Sequence, residues 1–266
     1  MNKRNHKILE IRKALGFRDG NRGTHSCRTM MLADLQILLD ANQSGASRND
    51  YKNSMLKNNI LGKRTDSNRK LSAKRLCELY GLDLNIPLFR ALRFFWDVDK
   101  DGQPLLAFFC AFARDPLLRL TTPILMNTGQ GEALMAAGIE QMIADSFPGR
   151  FSKITMSSIA CRIRSTWTQS GYLKGRVKKI RTKPVATPAT VAFALFLGYL
   201  EGCRAQRLLD TKCIKLLELP PDRLDNMIKV ASQRGILDYR NAGSIMEIRF
   251  PNLLSAEDEE MIREQN

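Results

Sequence analysis

The lysines and arginines between Arg162 and Lys183 are the side chains whose chemistry stands out in this sequence. The window contains no aspartate or glutamate. Ammonium and guanidinium groups bind carboxylate and phosphate oxygens, so a run of them without interspersed acids favours an anionic partner over a merely solvated basic face. The cations of the window are Arg162, Arg164, Lys174, Arg176, Lys178, Lys179, Arg181 and Lys183.

Apolar spacing predicts that the first part of this window lies on an amphipathic helix that ends at Gly171. Its buried stripe recurs at i, i+3, i+4, i+7 and i+11 and consists of Met156, Ile159, Ala160, Ile163 and Trp167. The opposite face carries short polar groups and a guanidinium, a mixture suited to a nucleic-acid groove, at Ser158, Cys161, Arg162, Ser165, Thr168 and Gln169. Two short extended pieces follow around Gly175. A helix followed by a basic hairpin predicts a winged helix-turn-helix unit.

The composition supports an anionic partner and an ordinary globular fold. The chain has 266 residues, a formal net charge of +15 and a pI near 9.8. A surplus of this size is typical of proteins that bind nucleic acid and, less often, of proteins that bind anionic lipid. With 44% hydrophobic and 26% charged residues, the chain is long enough to form two domains.

The remaining periodicity predicts a mainly α-helical protein with a further helix–hairpin unit near its C-terminal end. Helices are predicted at 30–39, 47–57, 87–96, 103–113, 131–147 and 189–200, and one more is predicted from an N-cap at Ser72 to Gly81. The last long helix begins at Pro221 and ends at Gly235. Two strands, 236–240 and 244–250, follow it around a tight loop at 241–243.

An N-terminal unit with a wing is predicted as well, because a helix, a turn and a second helix are followed by a short strand near Ile60 and a polar loop. The cations of that loop would lie over a phosphate backbone, and they are Lys63, Arg64, Arg69 and Lys70. Residues 1–28 are also rich in basic side chains. They form either a flexible basic arm or a frayed terminus.

Side chains for catalysis, metal binding or membrane insertion are sparse. His6 and His25 are the only histidines, and neither paired carboxylates nor a phosphate-binding loop stand out. The six cysteines form no C-x-x-C pair, and Asp97, Asp99 and Asp101 fit a surface turn better than a calcium loop. No apolar run approaches the roughly 20 residues of a membrane span, and no signal peptide is recognised. We therefore expect a cytoplasmic, non-enzymatic protein without cofactor, metal, membrane or small-molecule substrate.

Four segments of the C-terminal half form a recognisable succession. They are WTQSGYLK at 167–174, LGYLEG at 197–202, ASQRG at 231–235 and NAGSIMEIRF at 241–250. The succession resembles the BrxA-type proteins of bacteriophage-exclusion (BREX) defence systems, and the resemblance covers roughly residues 155–254. It implies a two-lobed, mostly helical, non-enzymatic protein that binds double-stranded DNA and serves a multi-protein anti-phage system. It implies no catalytic residues.

The sequence as a whole predicts a mainly α, two-lobed helical protein with winged helix-turn-helix-like units and short β-hairpin wings. An N-terminal helical domain is expected at 1–128 and a C-terminal winged-helix-like domain at 129–266. The expected function is binding of double-stranded DNA mainly through phosphate contacts, alongside other defence-system proteins. Two alternatives stay open: an adaptor that docks an acidic partner, and an RNA-binding protein, although few exposed aromatics are available to stack on single strands.

Overall fold

The computed structural model describes residues 3–242 and 245–265, and it is mainly helical with two small antiparallel β-hairpins. The helices of the first half are α1 (Lys3–Leu15), α2 (Leu32–Asp40), α3 (Arg48–Leu56), α4 (Asp66–Tyr80), α5 (Pro87–Val98), α6 (Gln103–Arg114) and α7 (Pro116–Asn127). Those of the second half are α8 (Ala136–Ser146), α9 (Lys153–Gln169), α10 (Pro188–Leu200), α11 (Lys212–Leu216), α12 (Pro221–Gln233) and α13 (Ala256–Glu264). One hairpin consists of β1 (Leu173–Lys174) and β2 (Ile180–Arg181), the other of β3 (Asp238–Ala242) and β4 (Ile245–Arg249).

Helices α5, α6 and α10 pack against one another at the centre of the molecule. The two longest apolar runs of the sequence lie on α6 and α10, and both helices are almost completely buried. Aromatic rings join the two predicted lobes. The ring centroids of Phe95 and Phe193 are 5.4 Å apart, and those of Phe108 and Tyr172 are 5.0 Å apart. The apolar core therefore crosses the predicted domain boundary, and the division into two domains stays a prediction.

None of the helices in the described part of the chain combines the length and the apolar character needed to cross a bilayer. The buried helices α6 and α10 are each short, with 12 and 13 residues. Their apolar surfaces are covered by other helices of the same chain. Burial within the protein accounts for both apolar runs.

The start of α4 differs from the prediction and removes the predicted N-terminal wing. The Thr65 side chain begins this helix by accepting the Asn68 N–H (3.2 Å), whereas Ser72, the predicted N-cap, is buried within it. The residues before α4 form a turn in which the Asn59 side chain bonds to both the N–H and the carbonyl of Lys63. Serine and threonine are both good N-caps, so residue type alone did not distinguish the two positions.

The β1–β2 hairpin is extended by one more segment, residues 131–134, which lies beside β2. The Gly131 N–H donates to the Arg181 carbonyl (2.9 Å), and the Arg181 N–H donates to the Glu132 carbonyl (2.8 Å). Strand β2 is therefore hydrogen-bonded on both edges, to β1 and to this segment. The helix predicted from Gly131 begins only at Ala136, because residues 131–134 are hydrogen-bonded to β2 and its neighbouring residues, and Met135 is still extended (φ −84°, ψ 143°).

A buried polar network joins α9 to α7 and to the segment before α2. The Nδ1 atom of His25 lies 2.8 Å from a carboxylate oxygen of Asp115, and both side chains are fully buried. The Nε2 atom of His25 lies 2.8 Å from Oγ1 of Thr166 on α9, and this oxygen also accepts the Met30 N–H. Burial would raise the pKa of Asp115, but the adjacent His25 and hydrogen bonds from His25 and from the Leu118 N–H lower it overall.

Replacing Asp115 with asparagine (Asp115→Asn) removes the charge of this network while keeping its shape. The change leaves His25 beside an amide, so the free energy of unfolding at pH 7 should fall by about 2–4 kcal/mol. Because the pKa of Asp115 is lowered in the folded protein, its contribution is complete above the unfolded-state pKa of about 3.9 and is lost as the pH falls through the folded-state value.

Urea unfolding of the wild type and the Asp115→Asn variant over a range of pH measures this contribution. The difference between the two proteins should shrink below about pH 4. A difference that does not depend on pH would contradict the ionised state of Asp115.

Candidate nucleic-acid interface

Helix α9 carries the predicted groove-facing side chains, and two of its sides are covered by the rest of the protein. The core side, which includes Trp167, is fully buried. An adjacent side of α9 is hydrogen-bonded to the segment before α2 and to the first residue of α2. The Arg162 guanidinium donates to the Ser26 carbonyl (2.7 Å), and the Leu32 N–H donates to the Gln169 side chain (3.2 Å). Two of the predicted contact residues are therefore engaged within the protein.

The third side of α9 is open and carries mostly short side chains. Ile154, Ser157 and Cys161 are exposed, and the predicted residues Ser165 and Thr168 are half-buried on the same side. At 3.6 residues per turn, these five positions fall within an arc of about 80° around the helix axis. Short side chains let a helix approach the floor of a groove closely.

The β1–β2 hairpin lies beside this open side, where it is bonded to Arg164. The Arg164 guanidinium donates to the Val177 carbonyl at the hairpin tip (3.4 Å), and Nζ of Lys179 donates to the Gly175 carbonyl (2.7 Å). Gly175 has a φ of +97°, and a Cβ there would come within 2.2 Å of the Lys178 carbonyl oxygen, so this tight turn requires glycine. We call the open side of α9 together with this hairpin the α9–hairpin surface.

The α9–hairpin surface contains no acidic residue. The sequence has neither aspartate nor glutamate between Asp145 and Glu201. Burial and the neighbouring Arg164 guanidinium lower the pKa of Lys179, so two cations are held close together. An incoming anion would stabilise this arrangement. The exposed cations of the hairpin and of the residues after it are Lys174, Arg176, Lys178 and Lys183.

Arg181 is a predicted contact that the structure places in the core. Its side chain is 1% exposed and forms an ion pair with Glu218. The guanidinium also donates to the Leu125 carbonyl (3.1 Å) and lies over the Tyr172 ring, 5.4 Å from its centroid. Arg181 therefore does not face a ligand, which corrects the prediction. This burial was not predictable from local pattern, because Glu218 follows 37 residues later along the chain.

The four cations predicted on an N-terminal wing lie on α4 and on the turn before it. Lys63 and Lys70 form ion pairs with carboxylates at 2.8 Å and 2.7 Å. Arg69 donates to a backbone carbonyl of α3 (3.0 Å). Arg64 is exposed. Three of the four side chains are therefore engaged within the protein.

A second concentration of cations lies in a cleft that the sequence patterns did not predict. It brings together residues of the chain before α2, the second half of α4 and the turn before α9. These stretches are far apart in the sequence, so no local periodicity reveals them as a group. The cations are Arg18, Arg22, Lys74, Arg75 and Arg150.

The acidic turn between α5 and α6 has structural contacts. Asp99 accepts the Gly102 N–H (3.1 Å) and the Thr187 hydroxyl, so it joins this turn to the N-cap of α10. Asp97 forms an ion pair with Arg93 (3.2 Å). In residues 3–242 and 245–265, no group of three or more histidine, cysteine, aspartate or glutamate side chains is placed to hold a metal ion.

Replacing Arg181 with alanine (Arg181→Ala) should destabilise the protein rather than alter its surface. The change leaves the mostly buried Glu218 carboxylate without its cation, so the free energy of unfolding should fall by about 3 kcal/mol. The matched control is Lys183→Ala, an exposed lysine two residues later, for which a change within about 0.5 kcal/mol is expected. Urea unfolding at pH 7 measures both, and small, equal effects would contradict the buried role of Arg181.

Comparison with known proteins does not assign this chain to a family. A scan against protein-family models gives no match, and a search of curated protein sequences gives none either. The resemblance to BrxA-type proteins therefore stays a prediction from the sequence.

Proposed function

We propose that this protein binds double-stranded DNA through the α9–hairpin surface. The observation that carries the proposal is the hydrogen bond from Arg164 to the Val177 carbonyl, because it joins the open side of α9 and the hairpin tip into one surface without acids. In this arrangement α9 lies in the major groove, and the hairpin follows the phosphate backbone. The affinity comes mainly from contacts between cations and phosphates and therefore depends on salt.

The order of the elements around α9 supports a winged helix-turn-helix unit. Helices α7, α8 and α9 are consecutive, and each packs against the next. The extended segment 131–134 lies between α7 and α8 and pairs with β2, while β1 and β2 follow α9. We infer that α9 is the recognition helix of this unit and that the β1–β2 hairpin is its wing.

The side chains of α9 divide into those that reach the duplex and those that position the helix. Ser165 and Thr168 lie on the open side. The Thr168 hydroxyl donates to the Arg164 carbonyl (2.8 Å), and the Ser165 hydroxyl oxygen accepts from the Gln169 amide (3.3 Å). In this proposal Thr168 accepts one further hydrogen bond from the duplex and Ser165 donates one. Arg162 and Gln169 are bonded to Ser26 and to the Leu32 N–H, and in this proposal they hold α9 in place. Phosphate contacts fall to the exposed cations Lys174, Arg176, Lys178 and Lys183.

The second helix–hairpin unit, α10 to α12 with β3 and β4, is a weaker candidate for the same role. The exposed part of α12 carries acidic groups, with Asp222 in its first turn and Asp225 paired with Lys229 (2.7 Å). Carboxylates at these positions would repel phosphates. Gly243 of its predicted loop and Ser244 at the start of its predicted second strand lie outside the described residues.

The resemblance to BrxA-type proteins supports the proposal from a separate direction. One of the four segments that carry it, residues 167–174, contains the end of α9 and strand β1. We therefore propose that the protein is a DNA-binding component of a bacteriophage-exclusion defence system. Other proteins of that system would be its partners.

Replacing Lys174, Arg176 and Lys178 with alanine should weaken duplex binding and reduce its dependence on salt. If the wild type neutralises about six phosphates, log affinity should fall with log salt with a slope near −5. Three contacts fewer should reduce the magnitude of that slope by about 2.7 and weaken binding about tenfold or more at moderate salt. Fluorescence anisotropy with a labelled duplex of about 20 base pairs measures both quantities.

The matched control removes three exposed cations from the second helix–hairpin unit, Lys215, Arg223 and Arg234. It changes the net charge equally and should leave the slope close to that of the wild type. A wild-type slope near zero would remove the DNA proposal. Equal losses in the two triple variants would show that net charge, and not the α9–hairpin surface, governs binding. A structured RNA that competes better than duplex DNA would favour the RNA alternative.

A groove between α3 and α4 favours a second candidate function, that of an adaptor which docks an acidic partner. Its floor is apolar and includes Met55 and Ala73, while its rim is basic. An amphipathic helix with one apolar and one acidic face complements such a groove. The cations of the rim are Arg48, Lys52, Lys70 and Lys74.

A double charge reversal, Arg48→Glu with Lys52→Glu, tests the adaptor function. The measurement is a pull-down after nuclease treatment. If the protein is an adaptor that uses the groove, wild type should retain a partner that this variant loses. The Lys174, Arg176 and Lys178 triple variant is the control and should retain the partner. Equal retention by all three proteins would exclude the groove between α3 and α4 as the docking site.

A further inference from the structure

The cleft lined by Arg18, Arg22, Lys74, Arg75 and Arg150, called here the basic cleft, has a volume of about 410 Å³. Its wall also includes the Ser26 residue whose carbonyl accepts the Arg162 guanidinium of α9. The basic cleft therefore lies beside α9, on the side of this helix that is bonded to the segment before α2. Its cations are absent from the set predicted from the sequence.

Several cations of the basic cleft are held in place by the protein. The Arg150 guanidinium lies over the rings of Phe147 and Phe151, at 5.1 Å and 4.8 Å from their centroids, and donates to the Asn21 carbonyl (2.8 Å). Arg18 donates to a backbone carbonyl of α4 (3.1 Å). Cations fixed in this way lose little freedom when they bind an anion, which favours binding.

The positive charge of the basic cleft exceeds its negative charge. Its one carboxylate, Glu78, already accepts the Arg75 guanidinium (2.6 Å) and the Thr24 hydroxyl (3.2 Å). Nε of Arg75 is buried and has no hydrogen-bond partner among the described residues. Arg22 and Lys74 are exposed and form no ion pair with any described carboxylate. Surplus cations beside a single carboxylate that is already paired are an environment that favours the binding of a phosphate group.

We propose that the basic cleft binds a phosphate group. The source of this phosphate is the backbone of the bound duplex. The proposal therefore rests on the proposed DNA-binding function and extends it. From Lys153 at the start of α9 to Arg164 at the hairpin, the helix rises about 16 Å. The basic cleft and the hairpin therefore lie at different points along α9, and in this proposal they contact different backbone phosphates of the bound duplex.

The variant that tests the proposal is Arg22→Ala with Lys74→Ala, because both side chains are exposed and neither supports the fold. The control, Lys57→Ala with Lys215→Ala, removes two exposed cations elsewhere. The first probe is inorganic pyrophosphate, and titration calorimetry at low salt measures its binding. The cleft variant should bind it at least tenfold more weakly than wild type, and the control should stay within twofold.

The second probe is a duplex of about 20 base pairs, followed by anisotropy at several salt concentrations. The magnitude of the salt slope should fall by about 1–2 in the cleft variant and stay unchanged in the control. Equal pyrophosphate binding by all three proteins would overturn the proposal even if duplex binding is strong. A weakened pyrophosphate affinity with an unchanged duplex slope would uphold a phosphate site and overturn the duplex as its source. If wild type binds no duplex, the DNA proposal fails. The pyrophosphate measurement alone then shows whether the basic cleft binds phosphate.

Discussion

The burial of α9 on two of its sides is the constraint on which the proposed binding surface depends. Trp167 is fixed in the core, and the neighbouring Thr166 bonds to His25 and to the Met30 N–H. A helix held in this way cannot rotate to bury its remaining side. The direction of that open side is therefore set by the core and by the buried His25–Asp115 network before any ligand is present, and the hairpin bonded to Arg164 is positioned with it.

In the proposed function, the positive charge of the chain serves two different purposes. Arg181 and Lys63 have carboxylate partners within the protein, so they stabilise the fold and add nothing to an external field. Lys174, Arg176 and Lys178 are exposed on a hairpin that contains no acid. The total of 42 lysines and arginines therefore overstates the number of cations available for binding. In the proposed function, the exposed cations of the hairpin attract phosphate because they lie close together on one short segment.

The parts of the fold that follow from local pattern were predictable, and those that follow from tertiary contact were not. The apolar spacing around Ile163 predicted α9, and Gly175 predicted the turn that follows it. Residue type did not distinguish Thr65 from Ser72 as the start of α4, and the N-terminal wing was predicted wrongly as a result. In the sequence, nothing distinguishes Arg181 from the neighbouring cations, because its partner Glu218 contacts it only in the folded protein. The basic cleft was missed because it exists only in the folded chain.

Alkylation of Cys161 is the measurement that tests the central claim most directly. Cys161 is exposed on the open side of α9, whereas the other five cysteines are buried or half-buried. Saturating duplex DNA should slow the reaction of Cys161 with N-ethylmaleimide at least tenfold, while Cys203, which follows α10, reacts at its unliganded rate. An unchanged rate at Cys161 while the duplex is bound would contradict the account, because the DNA would then lie on some other surface.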